Sequence, residues 1–186
     1  MDEHEKHEEQ VEDLDTPESE AEEVKGGAAD IFAKIGDIKG ESIDIRHKSE
    51  IEVLSWSWGV TQTGTSTHGG GAGAGKASFQ DFNFTHHIDK ASPLLMKSCA
   101  TGAHIPEATI TVRKAGAGQQ EYLIIKMTDV LIASVAMSVA GDEAGTAENV
   151  NLQGAKVDLE YRAQKADGSL EPGLHFKYDV KANKVG

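Results

Sequence analysis

The feature that most constrains the fold is a two-residue alternation of apolar and polar side chains, which recurs from residue 30 to the C-terminal end. Phe82 and Phe84 alternate with polar residues, and so do Leu174 and Phe176 near the end of the chain. This period is typical of strands with one buried face. The chain is therefore predicted to be mainly β, with about eight short strands.

One stretch breaks the period and predicts a helix. Ser92 is the expected N-cap, Pro93 suits the first helical position, and Gly102 stands where a left-handed C-cap would end the helix. Cys99, the single cysteine, is expected to be a small buried residue of this helix. Short strands joined by turns, with one helix, predict an antiparallel β-barrel of two packed sheets flanked by the helix.

Charge divides the chain into two parts. Residues 1–25 contain 12 acidic residues and only Lys6 and Lys25 as basic ones, a net charge of −10 out of −13 for all 186 residues. Residues 1–29, the acidic extension, hold too few apolar side chains to offset the entropy of ordering, so no folded structure is predicted there. Residues 30–186 form the predicted domain.

The same totals argue against two classes of partner. The domain is nearly neutral, so no basic face for nucleic acid is expected. No run of residues approaches the ~20 apolar side chains of a membrane-spanning helix, so no membrane insertion is expected.

Two strands are predicted to change their buried face midway. The apolar face switches between Val53 and Leu54, which indicates a bulge or a bend between two packing surfaces. Beyond it, Ser55 and Ser57 lie opposite Trp56 and are expected to face water. A second change of face, at residues 153–154, predicts another bulge. The strand before it is predicted to bury one stripe, formed by Leu131, Ala133, Val135, Met137 and Val139.

Residues 61–77 form a long loop of small residues, and loops of this length usually serve a function or lack structure. Gly70 to Lys76 fits the first part of a phosphate-binding loop. However, Ala77 replaces the magnesium-binding hydroxyl, and a strand rather than a helix is expected next. Nucleotide binding is therefore not expected. No other motif predicts a catalytic residue, a metal site or a cofactor, so an enzyme is not expected.

Several segments resemble one known family. These are SWSWG at residues 55–59, SFQDFNFTHHIDKASP at 78–93 and RKAG at 113–116, in this order. They are similar to Hcp, the haemolysin-coregulated protein of bacterial type VI secretion systems, and the resemblance covers nearly the whole predicted domain.

This resemblance implies a structural role and a set of partners. Hcp-like barrels are expected to form hexameric rings that stack into a tube, with sheath and spike proteins as partners and effector proteins carried in the lumen. The protein would be cytoplasmic before firing and then leave the cell without a signal peptide. Six copies of the acidic extension would place about 60 negative charges on one ring, which should oppose stacking at low salt.

The resemblance also assigns roles to residues. Ser55 and Ser57 would line the lumen and contact effectors. The long loop would reach neighbouring subunits, through Thr63, Gly64, Thr65, His68, Gly70, Gly71, Gly73 and Gly75. Two alternatives stay open: a tail-tube subunit of another, phage-like contractile particle, and a small β-barrel enzyme or ligand-binding module.

Overall fold

The computed structural model describes residues 29–62, 76–114, 118–139 and 146–186. These residues form ten strands and one helix, so the mainly-β prediction is confirmed. In chain order the elements are β1 (Asp30–Ile35), β2 (Ile51–Ser57), β3 (Val60–Gln62), β4 (Ala77–Phe79), β5 (Phe82–His87), α1 (Ser92–Thr101), β6 (His104–Arg113), β7 (Glu121–Val139), β8 (Thr146–Tyr161), β9 (Leu174–Asp179) and β10 (Lys184–Val185).

Six strands close into a barrel. They are hydrogen-bonded in the order β8-β5-β2-β1-β6-β7, and β7 pairs again with β8 to complete the ring of strands. Each pairing is antiparallel. The second half of β8 carries β9 and then β10, while β3 and β4 form a separate small sheet. Closure pairs the edges that an open sheet would expose, which confirms the antiparallel barrel.

The barrel interior follows the alternation seen in the sequence. Phe82 and Phe84 of β5 are fully buried, as are Ile110 of β6, Ile125 of β7 and Val150 of β8. Burial of side chains of this size is worth about 1.5–3 kcal/mol each relative to exposure. The interior therefore supplies the main stabilisation of the domain.

Helix α1 packs against β7 and ends as predicted. Gly102 adopts a φ of 62°, and its N–H donates to the carbonyl of Cys99. Cys99 is half-buried against the core. The predicted N-cap is wrong by one residue, since Ala91 occupies that position. Ser92 is buried instead, and its hydroxyl accepts a hydrogen bond from the Asp89 N–H at 3.1 Å.

The bulge predicted in β2 is confirmed. The register of β2 with β5 shifts between Val53 and Ser55. Val53 is buried, Leu54 is exposed, and Trp56 beyond the bulge packs against the core. The extra residue reverses the parity of the strand, as the sequence indicated.

The stripe predicted for β7 is wrong. Val130 and Ile132 are buried, whereas Ala133 is exposed and Leu131 is only half-buried. Two departures from regular strand geometry account for this. Asp129 has a φ of 52°, and the register with β8 shifts between Ile132 and Ser134. Alternation in the sequence does not show these departures, because residues 130–133 are all apolar and fit either face of a strand.

The change of buried face predicted near residues 153–154 is confirmed, since Leu152 and Val157 are both buried, but the bulge predicted to cause it is not found there. The register of β8 with β7 is regular there, since Gln153 pairs with Leu131 and Gly154 with Val130. Gly154 has a packing role instead, because a Cβ at this position would lie 2.9 Å from the Cβ of Met127. The glycine lets β8 approach the side chain of its neighbour.

The connection from β1 to β2 is held down by a buried arginine. The Arg113 guanidinium, 3% exposed, pairs with Asp44 at 2.7 Å and with Asp30 at 2.9 Å. The hydrogen bond from Arg113 lowers the pKa of Asp44 to about 2. The second oxygen of Asp44 accepts the backbone N–H groups of Arg46 and His47. One carboxylate therefore fixes both the turn and its attachment to the barrel.

Candidate functional site

The two predicted site serines lie on one exposed face of β2. Ser55 and Ser57 are both exposed, and Trp56 between them points inward, stacked on Phe82 at a ring distance of 5.5 Å. The bulge in β2 produces this orientation, because it reverses the parity of the strand just before Ser55. The prediction that the serines face water is confirmed for this chain.

Strand pairing extends this face across three more strands. Ser55 lies opposite Thr85, and Ser57 lies opposite Asn83 on β5. In the same rows β8 contributes Asn149 opposite Thr85 and Asn151 opposite Asn83, and β7 contributes Ser134 opposite Asn151. We call this set the amide face; its members are Ser55, Ser57, Asn83, Thr85, Ser134, Asn149 and Asn151.

A hydrogen-bond network links five side chains of the amide face. Asn83 Nδ2 donates to Asn151 Oδ1 at 2.7 Å, and the amides of Asn83 and Asn149 bond to each other. Asn149 Nδ2 also donates to Thr85 Oγ1 at 3.1 Å. Asn151 Nδ2 donates to Ser134 Oγ at 2.6 Å. Such a network orients the half-buried amides and leaves their partly exposed atoms available to a partner.

The electrostatics of the amide face are simple, because none of its seven side chains carries a charge. A partner would meet hydroxyl and amide groups that donate and accept hydrogen bonds. Hydrogen bonds between uncharged groups depend only weakly on salt.

The sequence alone identified only the two members of the amide face that lie on β2, Ser55 and Ser57. Asn83 and Thr85 alternate with Phe82 and Phe84, so their shared, outward orientation was available from the period. The sequence did not show that Asn83 and Thr85 lie next to Asn149 and Asn151, because this contact depends on the long-range pairing of β5 with β8.

Behind the amide face lies a buried contact between a histidine and a glutamate that the sequence did not indicate. His86 Nε2 and Glu148 Oε1 are 2.7 Å apart, with the side chains 1% and 0% exposed. Neither carboxylate oxygen of Glu148 accepts an aligned hydrogen bond from a described residue. His87, the next residue, is exposed, as expected for adjacent positions on a strand.

Residues 63–75 of the predicted inter-subunit loop lie outside the described residues, and with them all eight of its candidate residues, Thr63 to Gly75. The structure describes only its two ends. There β3 and β4 pair antiparallel, with Gln62 opposite Ala77. Lys76 is thus followed by strand β4, not by a helix that could hold a phosphate group.

The described residues contain neither a metal-binding cluster nor a membrane-spanning helix. Across residues 29–62, 76–114, 118–139 and 146–186, no three His, Cys, Asp or Glu side chains are grouped so as to hold a metal ion. Within those same residues, no helix has the length and apolar content needed to cross a membrane.

These features define a class of protein: a closed antiparallel β-barrel with one packed helix and a polar, uncharged sheet face. Comparison with known proteins narrows the class. The family model for the type VI secretion system effector Hcp matches residues 32–161. Protein hcp1 of Pseudomonas aeruginosa is 52% identical over 158 residues, which are 84% of this chain and 98% of that protein.

Solved structures agree with this match. The crystal structure of Hcp1 from Salmonella typhimurium is 41% identical with a TM-score of 0.69, covering 85% of this chain and 99% of that one. A type VI secretion system effector from Yersinia pestis is 38% identical with a TM-score of 0.67, covering 81% and 100%. The chain belongs to the Hcp family of the type VI secretion system.

Proposed function

We propose that this protein is the subunit of a type VI secretion tube, in which six copies form a ring, rings stack, and effector proteins travel in the lumen. The observation that carries the proposal is the amide face. Ser55 and Ser57, together with the asparagines of β5 and β8, would line the lumen and contact the cargo.

The chemistry of the face supports a role in transport. A conduit for different proteins must hold its cargo without trapping it. Charged walls would bind oppositely charged cargo tightly and repel the rest, while apolar walls would promote aggregation. The amide face avoids both, since its contacts are exchangeable hydrogen bonds of about 0.5–1.5 kcal/mol net each.

Family membership supports the remaining features of the proposal. The protein would assemble with sheath and spike proteins, act as a structural subunit without catalysis, and leave the cell through the secretion apparatus. The loop at residues 63–75 would contact neighbouring subunits, because its small residues allow close backbone approach. Ring closure requires head-to-tail contacts between different surfaces of each copy.

The mass of the purified full-length protein in solution tests the ring. Light scattering should give six times the mass of one chain, 19.8 kDa. The protein without residues 1–27 should likewise give six times the mass of its own shortened chain if the acidic extension plays no part in ring closure. A monomer in both samples would contradict the ring.

The cargo role is tested by changing the amide face without changing the barrel. Ser57→Tyr places a bulky side chain on the exposed face, and tyrosine is well tolerated in strands. Rings should persist, while the amount of effector protein that co-purifies with them should fall. Thr128→Tyr, an exposed strand position outside the amide face, is the matched control. Equal retention in both variants would contradict the assignment.

A further inference from the structure

A second exposed sheet region is charged rather than neutral, and strand pairing assembles it. Lys34 on β1 lies opposite Thr109, which lies opposite Lys126 on β7. Lys126 lies opposite Asp158, which lies opposite Lys177 on β9. This single row crosses five strands, and its three lysines are exposed.

The neighbouring row adds two more exposed lysines. Lys156 of β8 lies opposite Asp179 of β9, which lies opposite Lys184 of β10. A groove of about 640 Å³ runs along the two rows and is lined by four of the five lysines. We call this region the lysine face; its cations are Lys34, Lys126, Lys156, Lys177 and Lys184.

The lysine face carries an unbalanced positive charge. Lys156 pairs with Asp179 and Lys177 pairs with Asp158, each at 3.6 Å. Lys34, Lys126 and Lys184 make no ion pair with any described residue. Glu107 also lines the groove, as does Gly186 with the terminal carboxylate of the chain. The near-neutral total of the domain therefore hides a local excess of cations, because lysines far apart in the chain meet only after strand pairing.

We propose that the acidic extension of this chain docks on the lysine face of its own subunit. Charge complementarity supports this occupant, because residues 1–25 carry a net charge of −10 and three lysines of the face, Lys34, Lys126 and Lys184, have no carboxylate partner among the described residues. Many weak attractions of this kind add up when both partners are multiply charged, and they are strongest at low salt.

The attachment point makes the contact reachable. The extension joins the barrel at Asp30, the first residue of β1, and Lys34 lies four residues further along the same strand. That is about 13 Å at 3.3 Å per residue, and the row from β1 to β9 is about 19 Å wide at 4.8 Å per strand. A segment of 25 residues spans up to about 85 Å when extended, so it reaches every cation of the face.

Docking would have a consequence for assembly that goes beyond the proposed function. It would cover the lysine face at low salt and partly neutralise the extension, which lowers the repulsion between extensions of different copies. A rise in salt, or a partner with a denser negative charge, would release the extension and free the face.

Carbodiimide cross-linking of the full-length protein, read by mass spectrometry, tests the contact because it joins touching carboxylates and lysines. At about 20 mM salt, glutamates of the acidic extension should link to the lysine face. The yield should fall severalfold at about 0.5 M salt, where screening acts over a few ångströms. Equal linkage to exposed lysines elsewhere, such as Lys48, Lys90 and Lys97, would overturn the proposal.

A pair of charge-reversal variants sharpens the test. Lys126→Glu with Lys184→Glu removes no ion pair between described residues, so the fold is expected to persist. Linkage at the remaining lysines of the face should then fall severalfold. Lys90→Glu with Lys97→Glu changes the net charge equally and should leave it unchanged. An equal fall in both double variants would contradict docking on this face.

Isotope labelling identifies which subunit is bound. In a mixture of light and heavy chains, links from the extension should join atoms of the same chain. Links that pair a light with a heavy chain would overturn the assignment to the same subunit. Because the links are read residue by residue, the result does not depend on whether the protein forms rings.

Discussion

Asp44→Asn is the substitution whose effect follows most directly from the structure. Asparagine retains the oxygen that accepts the N–H groups of Arg46 and His47, so the turn keeps its backbone contacts. It removes the negative charge that lies 2.7 Å from the buried Arg113. The variant therefore tests the charge pair without disturbing the local turn.

The size of the effect follows from the pKa of Asp44. The hydrogen bond from Arg113 is the largest cause that lowers this pKa from 3.8 to about 2, and the N–H groups of Arg46 and His47 contribute. The whole shift corresponds to about 2.5 kcal/mol of folding free energy, at about 1.4 kcal/mol per pH unit. Because asparagine keeps the two N–H contacts, about 2 kcal/mol belongs to the pair with Arg113. The Asp44 side chain is only 16% exposed, so solvent screens the pair weakly. Asp44→Asn should thus lower the free energy of unfolding by about 2 kcal/mol at pH 7.

The pH dependence gives a second, independent signature. The folded-state pKa is lowered, so the stabilisation is complete above the unfolded value of 3.8 and is lost as pH falls through about 2. About half of it should remain at pH 3. The difference between the unmodified protein and the variant should shrink accordingly from pH 7 to pH 3.

Urea unfolding followed by tryptophan fluorescence measures both the loss of unfolding free energy at pH 7 and its change with pH. The protein concentration is kept fixed, because assembly also contributes to stability. Asp37→Asn is the matched control. Asp37 is exposed after β1 and makes no ion pair with a described residue, so its change should cost less than about 0.5 kcal/mol. A loss for Asp44→Asn that is the same at pH 3 and pH 7 would refute the reasoning.

Three further substitutions test packing and buried polar contacts by the same urea assay. Glu148→Gln should cost about 1–3 kcal/mol, because it changes one partner of a fully buried polar contact with His86. An unchanged midpoint would contradict a contribution of this contact to stability. Gly154→Ala should lower the free energy of unfolding by about 1–3 kcal/mol, because the new Cβ would lie 2.9 Å from Met127 Cβ. An unchanged urea midpoint would contradict that close approach. Gly102→Ala should lower the free energy of unfolding by about 1 kcal/mol, because the residue has a φ of 62° and no neighbouring atom lies near an added Cβ. If backbone conformation causes this loss of stability, it should disappear in Gly102→Asn.

The sequence by itself determined the features that depend on neighbouring residues. Alternation placed Phe82 and Phe84 inside the barrel and Ser55 and Ser57 outside it. Gly102 was predicted as the C-cap of the helix, and it occupies that position in the structure. These succeed because side-chain direction in a strand and the capping of a helix are local properties of the backbone.

Only the tertiary structure decided which strands pair with each other. The strand pairing in turn assembles the amide face and the lysine face. Asn83 and Asn151 are 68 residues apart, yet they share a hydrogen bond because β5 pairs with β8. Glu148 is buried beside His86 for the same reason, and Lys34 shares a row with Lys177 through five paired strands. Alternation indicates which side chains of one strand share a face. It does not indicate the register between distant strands, because closure of the whole barrel sets that register.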